Sequence, residues 1–286
     1  MFDLDFYMKK RRRAIDAVLD REMPAPDRRP TELHRAMRYS VFSGGKRLRP
    51  ILCMASAEAL GGPAESAWRP AAAIELLHAY TLIHDDLPCM DNDQTRRGQP
   101  TVHVAFGESC ALLAGDALQA LAFAVAARTP TPRPAVVADL IGELAQAAGS
   151  TGVVGGQVED LAAVGTAPAP ETIDFIHARK TAALFRAAVR MGARVAEADP
   201  AQLAALTDYA DALGVAFQIT DDLLDGTPSS AGQAQEASCL QIMAPSAARE
   251  KARALIDKAC AALELFNAAA AAPLQAVASR IVNRDH

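Results

Sequence analysis

YTLIHDDLPCMDNDQTRRGQPT, residues 80 to 101, is the stretch from which the rest of the chain can be read. Asp85, Asp86, Asp91 and Asp93 fall within nine residues, and Arg96 and Arg97 follow at once. Upstream, Ile74, Leu76, Leu77 and Ile83 recur at roughly helical spacing, so the carboxylates are expected at the C-terminal end of a largely buried helix. A helix C-terminus carries partial negative charge and is a poor place for anions. Two carboxylates about 4 Å apart repel by roughly 1 kcal/mol in water and nearer 4 kcal/mol at an effective dielectric of about 20. Something positive must offset this. Carboxylates without thiols or several histidines favour hard cations, and Mg²⁺ takes one or two of them, keeps waters and completes its shell with phosphate oxygens. The arginines fit as partners of the same phosphates. A solvated acidic loop with salt-bridging arginines is the competing account.

A second acidic motif shifts the balance. FQITDDLLDG occupies 217 to 226, within an apolar pattern through Leu213, Phe217 and Leu223. The i, i+4 spacing puts Asp221 and Asp225 on one helical face, with Asp222 at the next position. Two aspartate-rich helices of this kind point to one metal-diphosphate site shared between facing helices.

Composition sets the frame around that site. Hydrophobic residues make up 51% of the 286 while aromatic residues make up only 5%. With long alanine-rich segments and almost no alternating β-branched runs, this indicates an all-α body with a large core, read as one domain over 1–286. A formal net charge of −5 argues against a general nucleic-acid or anionic-membrane surface, so phosphate binding must rest on local basic clusters and metal. Five cysteines, at 53, 89, 110, 239 and 260, form no CxxC pair or zinc spacing and suit a reducing, cytoplasmic setting. KKRRR at 9 to 13 reads as a solvated helix face. The segment nearest to a membrane span, Ala111 to Ala127, contains Asp116 and Gln119, and stable membrane insertion is not expected.

In chain order, helices are expected over 4 to about 21, from an N-cap at Thr31, over 51–60, 70–86, from a cap at Ser109 to Arg128, over 135–148, 172–198 and from Pro200 through the second motif. Further helices follow over about 245–262 and the last twenty residues, with NAAAAAP at 267 to 273 as a break. FSGGKRLRP at 42 to 50 offers Gly44 and Gly45 for a close turn and Lys46, Arg47 and Arg49 for an anion, at the N-terminal end of the next helix; a basic surface loop is the alternative. His78 lies about two helical turns before the paired aspartates, on the face leading to them. The clustered glycines of GSTGVVGGQVEDLA, 149 to 162, serve either a phosphate loop or close helix packing. Lys180 and Thr181 interrupt an apolar face, and a buried lysine is expected to point toward an anion or the acidic cluster.

GGKRLRP, HAYTLIHDDLPCMDNDQTRRGQPT, GDAL, GGQVEDL, HARKTAAL and FQITDDLLD together resemble the bacterial trans-isoprenyl diphosphate synthases, and farnesyl diphosphate synthases most of all. The resemblance runs in order from about residue 37 to 225. It implies an isoprenoid-synthase-type helical bundle around a deep central cavity, a homodimer, and head-to-tail condensation of isopentenyl diphosphate with an allylic diphosphate. By the same resemblance Asp85, Asp86, Asp91 and Asp221 hold Mg²⁺ against the allylic diphosphate, supported by Asp222 and Asp225, and Arg96 binds that diphosphate. Lys46, Arg49, His78 and Arg97 match positions that bind isopentenyl diphosphate; Lys180, Thr181 and Gln218 match those at the reacting allylic end. Tyr80, five residues before Asp85 on nearly the same face, is expected to floor the cavity and limit product length, with the small Thr81 beside it.

One departure stands out. Where the family usually carries Gly-Lys-x-x-Gly-x-Asp, this chain reads Gly232, Gln233, Ala234, Gln235, Glu236, Ala237 and Ser238, with no lysine between Lys180 and Lys251. The segment after Asp225 is expected to be mobile and allylic binding weaker. Farnesyl diphosphate is the leading product expectation, with geranyl or geranylgeranyl diphosphate as alternatives. A non-catalytic modulating subunit and a terpene cyclase are the other classes. The intact acidic motifs speak against the first, and the basic loop with Arg97 against the second.

Overall fold

The helix that ends in the first acidic motif is apolar on every side, and the fold buries it accordingly. In the computed structural model, which describes residues 2–226 and 237–283, this helix, α4 (Trp68–Asp85), buries twelve residues between Pro70 and Ile83, as a helix without a polar face must. The others are α1 (Leu4–Glu22), α2 (Thr31–Phe42), α3 (Leu48–Ala59), α5 (Val102–Phe106), α6 (Glu108–Ala127), α7 (Pro134–Ala148), α8 (Val153–Ala163), α9 (Pro170–Ile176), α10 (Ala183–Val195), α11 (Pro200–Asp225), α12 (Pro245–Ala262) and α13 (Ala268–Val282). Among the described residues the only strands are β1 (Thr95–Arg96) and β2 (Gln99–Pro100), an antiparallel pair.

α4 packs on α3, α6 and α10, and α11 packs on α10 and α12. One continuous apolar cluster runs from Leu4 to Ile281. The helix carrying the second acidic motif is firmly set at its start. Asp199 accepts the backbone N–H groups of Ala201 and Gln202, Gln202 returns a bond to the Asp199 amide, and Pro200 takes the first helical position. Further along, the buried Tyr209 hydroxyl donates to the Leu274 carbonyl at 2.9 Å, which satisfies a polar group and joins α11 to α13.

Several expected boundaries move. Thr31 is the first residue inside α2, after Pro30, and makes no cap; Gly107, at φ 83°, precedes α6 in place of a Ser109 cap. The run expected as one helix over 172–198 is helical from Pro170 to Val195 but contains a π-helical stretch, His177–Ala182. NAAAAAP does not break the chain. Asn267 caps α13 by accepting from Ala269 and Ala270, and Pro273 sits inside the helix. Residues 227–236, including Gln233, lie outside the described residues, and 3₁₀ turn Cys239–Gln241 follows, capped by Ser238. α6 has the length and mean hydropathy, 1.8, of a membrane-crossing helix; Ala111, Ala114, Leu118, Ala122 and Val125 form its buried side, while Leu112 and Leu113 are exposed.

Candidate active site

A cavity of about 750 Å³ is lined by residues 43–49, by Glu75, His78, Leu82 and Asp85 of α4, by Asp91, Arg96 and Arg97, by Lys180 and Thr181 of the π-helical stretch, and by Phe217, Gln218 and Asp221 of α11. Eleven residues singled out in the sequence therefore share one space: Lys46, Arg49, His78, Asp85, Asp91, Arg96, Arg97, Lys180, Thr181, Gln218 and Asp221.

Part of the lining is positively charged. Within KRLR, Arg47 adopts a left-handed backbone, φ 52°, and turns inward. It donates to Asp16 at 2.9 Å, to Glu75 at 2.8 Å and to the Val41 carbonyl at 2.6 Å, so it ties the loop to α1 and α4. Arg97 donates to the Gly44 carbonyl and lies against Gly45, where a Cβ would come within 2.8 Å of its guanidinium. With φ 122° as well, Gly45 has no ready substitute. The Arg49 guanidinium stacks over the Phe185 ring at 4.7 Å and approaches His78 Nε2 at 3.3 Å. Burial lowers the Arg49 pKa to about 10, which leaves it charged at neutral pH. Burial, reinforced by Arg49, Arg97, Arg96 and Arg47, holds His78 well below the ordinary imidazole range, so it is neutral. With Nε2 accepting from Arg49, the His78 proton belongs on Nδ1. Neither that atom nor Arg49 Nε has a hydrogen-bond partner among the described residues. Buried donors without acceptors, beside Lys46 and Arg97, suit an anion.

The same cavity also has an acidic lining. Asp85 and Asp91 line it from the end of α4 and the following loop, and Asp221 from α11. Burial pushes the Asp85 carboxyl up to about 7, with Asp91 and Asp86 adding to the rise and Lys180 opposing it. Asp91 is raised for the same first reason. Such carboxylates lack enough positive charge, and their all-oxygen chemistry fits a hard divalent cation. Among the described residues no three His, Cys, Asp or Glu side chains converge to enclose a metal unaided. That also fits Mg²⁺, which takes few carboxylates and fills its shell with water and substrate phosphate.

The cavity does not gather every residue the motifs suggested. Asp86 is buried and bound by Arg96, Nε at 2.7 Å and a terminal nitrogen at 2.6 Å, and Arg96 also reaches Asp93 at 3.2 Å. Asp222 is buried, and Asp225 is exposed outside the cavity lining. Burial would raise Asp222, but the His177 ring 3.4 Å away and hydrogen bonds from Gln218 and the Cys239 amide hold its carboxyl at about 2. Asp86 and Asp222 are engaged inside the protein and Asp225 faces solvent, so these three do not line the cavity as Asp85, Asp91 and Asp221 do. Tyr80 and Thr81 are buried but absent from the cavity lining. The Tyr80 ring meets His84 edge-on at 5.0 Å, and the Thr81 hydroxyl donates to the His78 carbonyl. Leu82 is the apolar α4 residue at the cavity.

Arg12, read as part of a solvated face, lines the cavity too. Asp160 is the acceptor for Lys180 Nζ, at 2.5 Å. α8 can lie close because residue 156 is glycine; a Cβ there would run into the Lys180 backbone nitrogen. The clustered glycines thus serve helix packing at this point.

A nearly all-helical bundle with a cavity lined by both basic and acidic side chains is the isoprenoid-synthase class of fold. The Polyprenyl synthetase family model matches residues 30–258. The chain is 42% identical to a geranylgeranyl pyrophosphate synthase, chloroplastic, of Catharanthus roseus, covering 100% of this chain and 82% of that protein. It is 39% identical to a geranylgeranyl diphosphate synthase of Cyanophora paradoxa, covering 100% and 98%. A crystal structure of an FPP/GFPP synthase from Zymomonas mobilis superposes with a TM-score of 0.90 at 41% identity, covering 98% of each chain. The chain belongs to the polyprenyl synthetase family and is a prenyltransferase of isoprenoid biosynthesis.

Proposed function

We propose that this chain, folded as one domain, condenses isopentenyl diphosphate with an allylic diphosphate head to tail and elongates to geranylgeranyl diphosphate. The observation that carries the reading is one cavity lined both by basic side chains, Lys46, Arg49 and Arg97 with His78, and by acidic ones, Asp85, Asp91 and Asp221, which gives partners for two diphosphates and for metal. Asp85, Asp91 and Asp221 would hold Mg²⁺ jointly with the allylic diphosphate; when bound, the ion supplies charge neutralisation for the leaving group. Arg96 and Lys180 add positive charge beside Asp85 and Asp91. The allylic C–O bond breaks, and the cation forms where Phe217 and Leu82 limit water. The isopentenyl double bond, held through its own diphosphate by Lys46, Arg49 and Arg97, then forms the new C–C bond. Loss of a proton to the released pyrophosphate completes the step.

The geranylgeranyl product replaces the farnesyl expectation because both relatives named above are geranylgeranyl synthases. Farnesyl diphosphate is the second reading, favoured by the likeness to the FPP/GFPP synthase of Zymomonas mobilis. The experiment is to supply purified protein with Mg²⁺, isopentenyl diphosphate and dimethylallyl, geranyl or farnesyl diphosphate, and to size the dephosphorylated products. A C20 alcohol is the expected main product; a C15 end point restores the farnesyl reading. Condensation with no primer, alongside an altered rate or product in a partner synthase, supports the modulating-subunit reading instead. Exposed Val104, Leu112 and Leu113 support a homodimer, tested by light scattering of the eluting protein. Five free thiols support a reducing, cytoplasmic setting, tested by fractionation.

A further inference from the structure

Lys180 and Thr181 stand side by side on the cavity wall, and each leads through a buried carboxylate to one short segment behind it. Thr181 Oγ1 donates to Gln218 Oε1 at 2.6 Å, and Gln218 Nε2 donates to Asp222 Oδ1 at 2.9 Å. Asp222 Oδ2 accepts the backbone N–H of Cys239 at 2.7 Å. In parallel, Lys180 Nζ donates to Asp160 Oδ2 at 2.5 Å, and Asp160 Oδ1 accepts the backbone N–H of Ala237 at 3.3 Å. Asp160 and Asp222 are 4% and 6% exposed, and neither lines the cavity.

The direction of these bonds has a chemical effect. A carboxylate only accepts, so Asp222 requires the NH₂ end of the Gln218 amide, and the amide must then turn its oxygen toward Thr181. Thr181 spends its single hydroxyl proton on that oxygen. What remains for the cavity is lone-pair density, with no O–H dipole pointing the wrong way. At the place where an allylic fragment becomes positive, an acceptor stabilises the developing charge and a donor opposes it.

We propose that Asp222, an acidic-motif residue, is a positioning residue rather than a metal ligand. Through Gln218 it sets the polarity of the Thr181 hydroxyl, and through the Cys239 amide it makes that setting depend on the docking of 237–239, as Asp160 does for Lys180. The proposal rests on the reading of the cavity as a prenyl-transfer site.

Asp222→Asn replaces one acceptor oxygen with a donor. In steady-state assays kcat is expected to fall by about tenfold to a hundredfold. Allylic KM and the Mg²⁺ concentration at half-maximal rate should stay within about twofold, because substrate and metal contacts remain. Gln218→Leu, which leaves Asp222 on Cys239, should give a similar loss in kcat and serves if Asp222→Asn does not fold. Either change combined with Thr181→Val should cost little more than one alone, since the three act as one unit. Amide exchange, followed by mass spectrometry without metal or substrate, should quicken across 237–241 in Asp222→Asn and stay as in wild type in Asp221→Asn and Gln218→Leu. A several-fold higher Mg²⁺ requirement in Asp222→Asn with unmoved exchange, or additive losses with Thr181→Val, overturns the proposal. A wild-type protein that condenses no primer removes the functional reading, and the exchange pattern then decides the clamp by itself.

Discussion

The two aspartate motifs look interchangeable as letters and do different work. From the first, Asp85 and Asp91 reach the cavity while Asp86 is spent on Arg96. From the second, Asp221 alone does so; Asp222 is spent on Gln218 and the Cys239 amide, and Asp225 faces solvent. The difference follows from where each motif sits. The first straddles the end of α4, where the chain leaves the helix and Asp91 can return to the side of Asp85, with its N–H bonding the Asp85 carbonyl at 2.9 Å. The second lies wholly within α11, where about 100° per residue turns Asp222 away from Asp221, while Asp225, on the Asp221 face one turn on, is the last helical residue and lies beyond the cavity. A run of aspartates at a helix end can converge; inside a helix it is divided among cavity, interior and solvent.

Substitutions can break this division, and the largest effect is expected at the cavity-facing members. Asp85→Asn and Asp221→Asn should each lower kcat by about a hundredfold or more while leaving thermal unfolding nearly unchanged, since they remove charge aimed at metal rather than packing. Wild-type turnover in either variant at saturating Mg²⁺ and substrate would unseat that residue. Asp86→Asn is intermediate. It weakens the pair with half-buried Arg96 and should cost about 1 to 2 kcal/mol in urea unfolding, discounted for the solvent around the arginine, with a raised allylic KM.

Acid sensitivity sharpens the contrast, because the motifs should respond with opposite sign. The folded pKa of Asp85, about 7, lies above its ordinary value of 3.8. The metal-free native protein therefore binds an extra proton between these values and loses stability as pH rises from about 4 to 7. Asp222, held at about 2, contributes stability that is present above about 4 and lost as pH falls through 2. Melting temperature against pH should show the Asp85 slope vanish in Asp85→Asn and the Asp222 slope vanish in Asp222→Asn; a shared slope in both variants would erase the distinction. Least of all should Asp225→Asn matter, within about 0.5 kcal/mol of stability and with kcat close to wild type. A large loss of kcat there would show that the exposed aspartate is recruited during turnover.

Periodicity carries the helices well, because α1, α4, α7, α11 and α12 fall within two residues of their expected limits, and motif spacing brings together the cavity-facing members. What it misses depends on direction and on partners distant in sequence. KRLR does not reveal that Arg47, at φ 52°, is taken up by Asp16 and Glu75 while Arg49 goes to Phe185 and His78. KKRRR divides similarly: Arg11 pairs with Glu58, but Arg12 reaches the cavity. That Asp86 and Asp222 are unavailable depends on Arg96, Gln218 and Cys239, contacts that one-dimensional spacing does not encode. Pro273 is read as a stop because it lacks an N–H, yet α13 continues through it, since burial of Leu274, Val277 and Ile281 offsets one missing bond.

The π-helical stretch His177–Ala182 acts as a phase shifter between α9 and α10. Each residue beyond ordinary α-helical winding rotates everything after it by about 100° relative to everything before. Deleting a single alanine from this stretch would restore regular winding, so that either Lys180 and Thr181 or the apolar face of α10 must leave its place. Both faces of one helical run can stay correct only while the extra residue is kept, and the reading frame of the fold at this point is counted in turns as well as in letters.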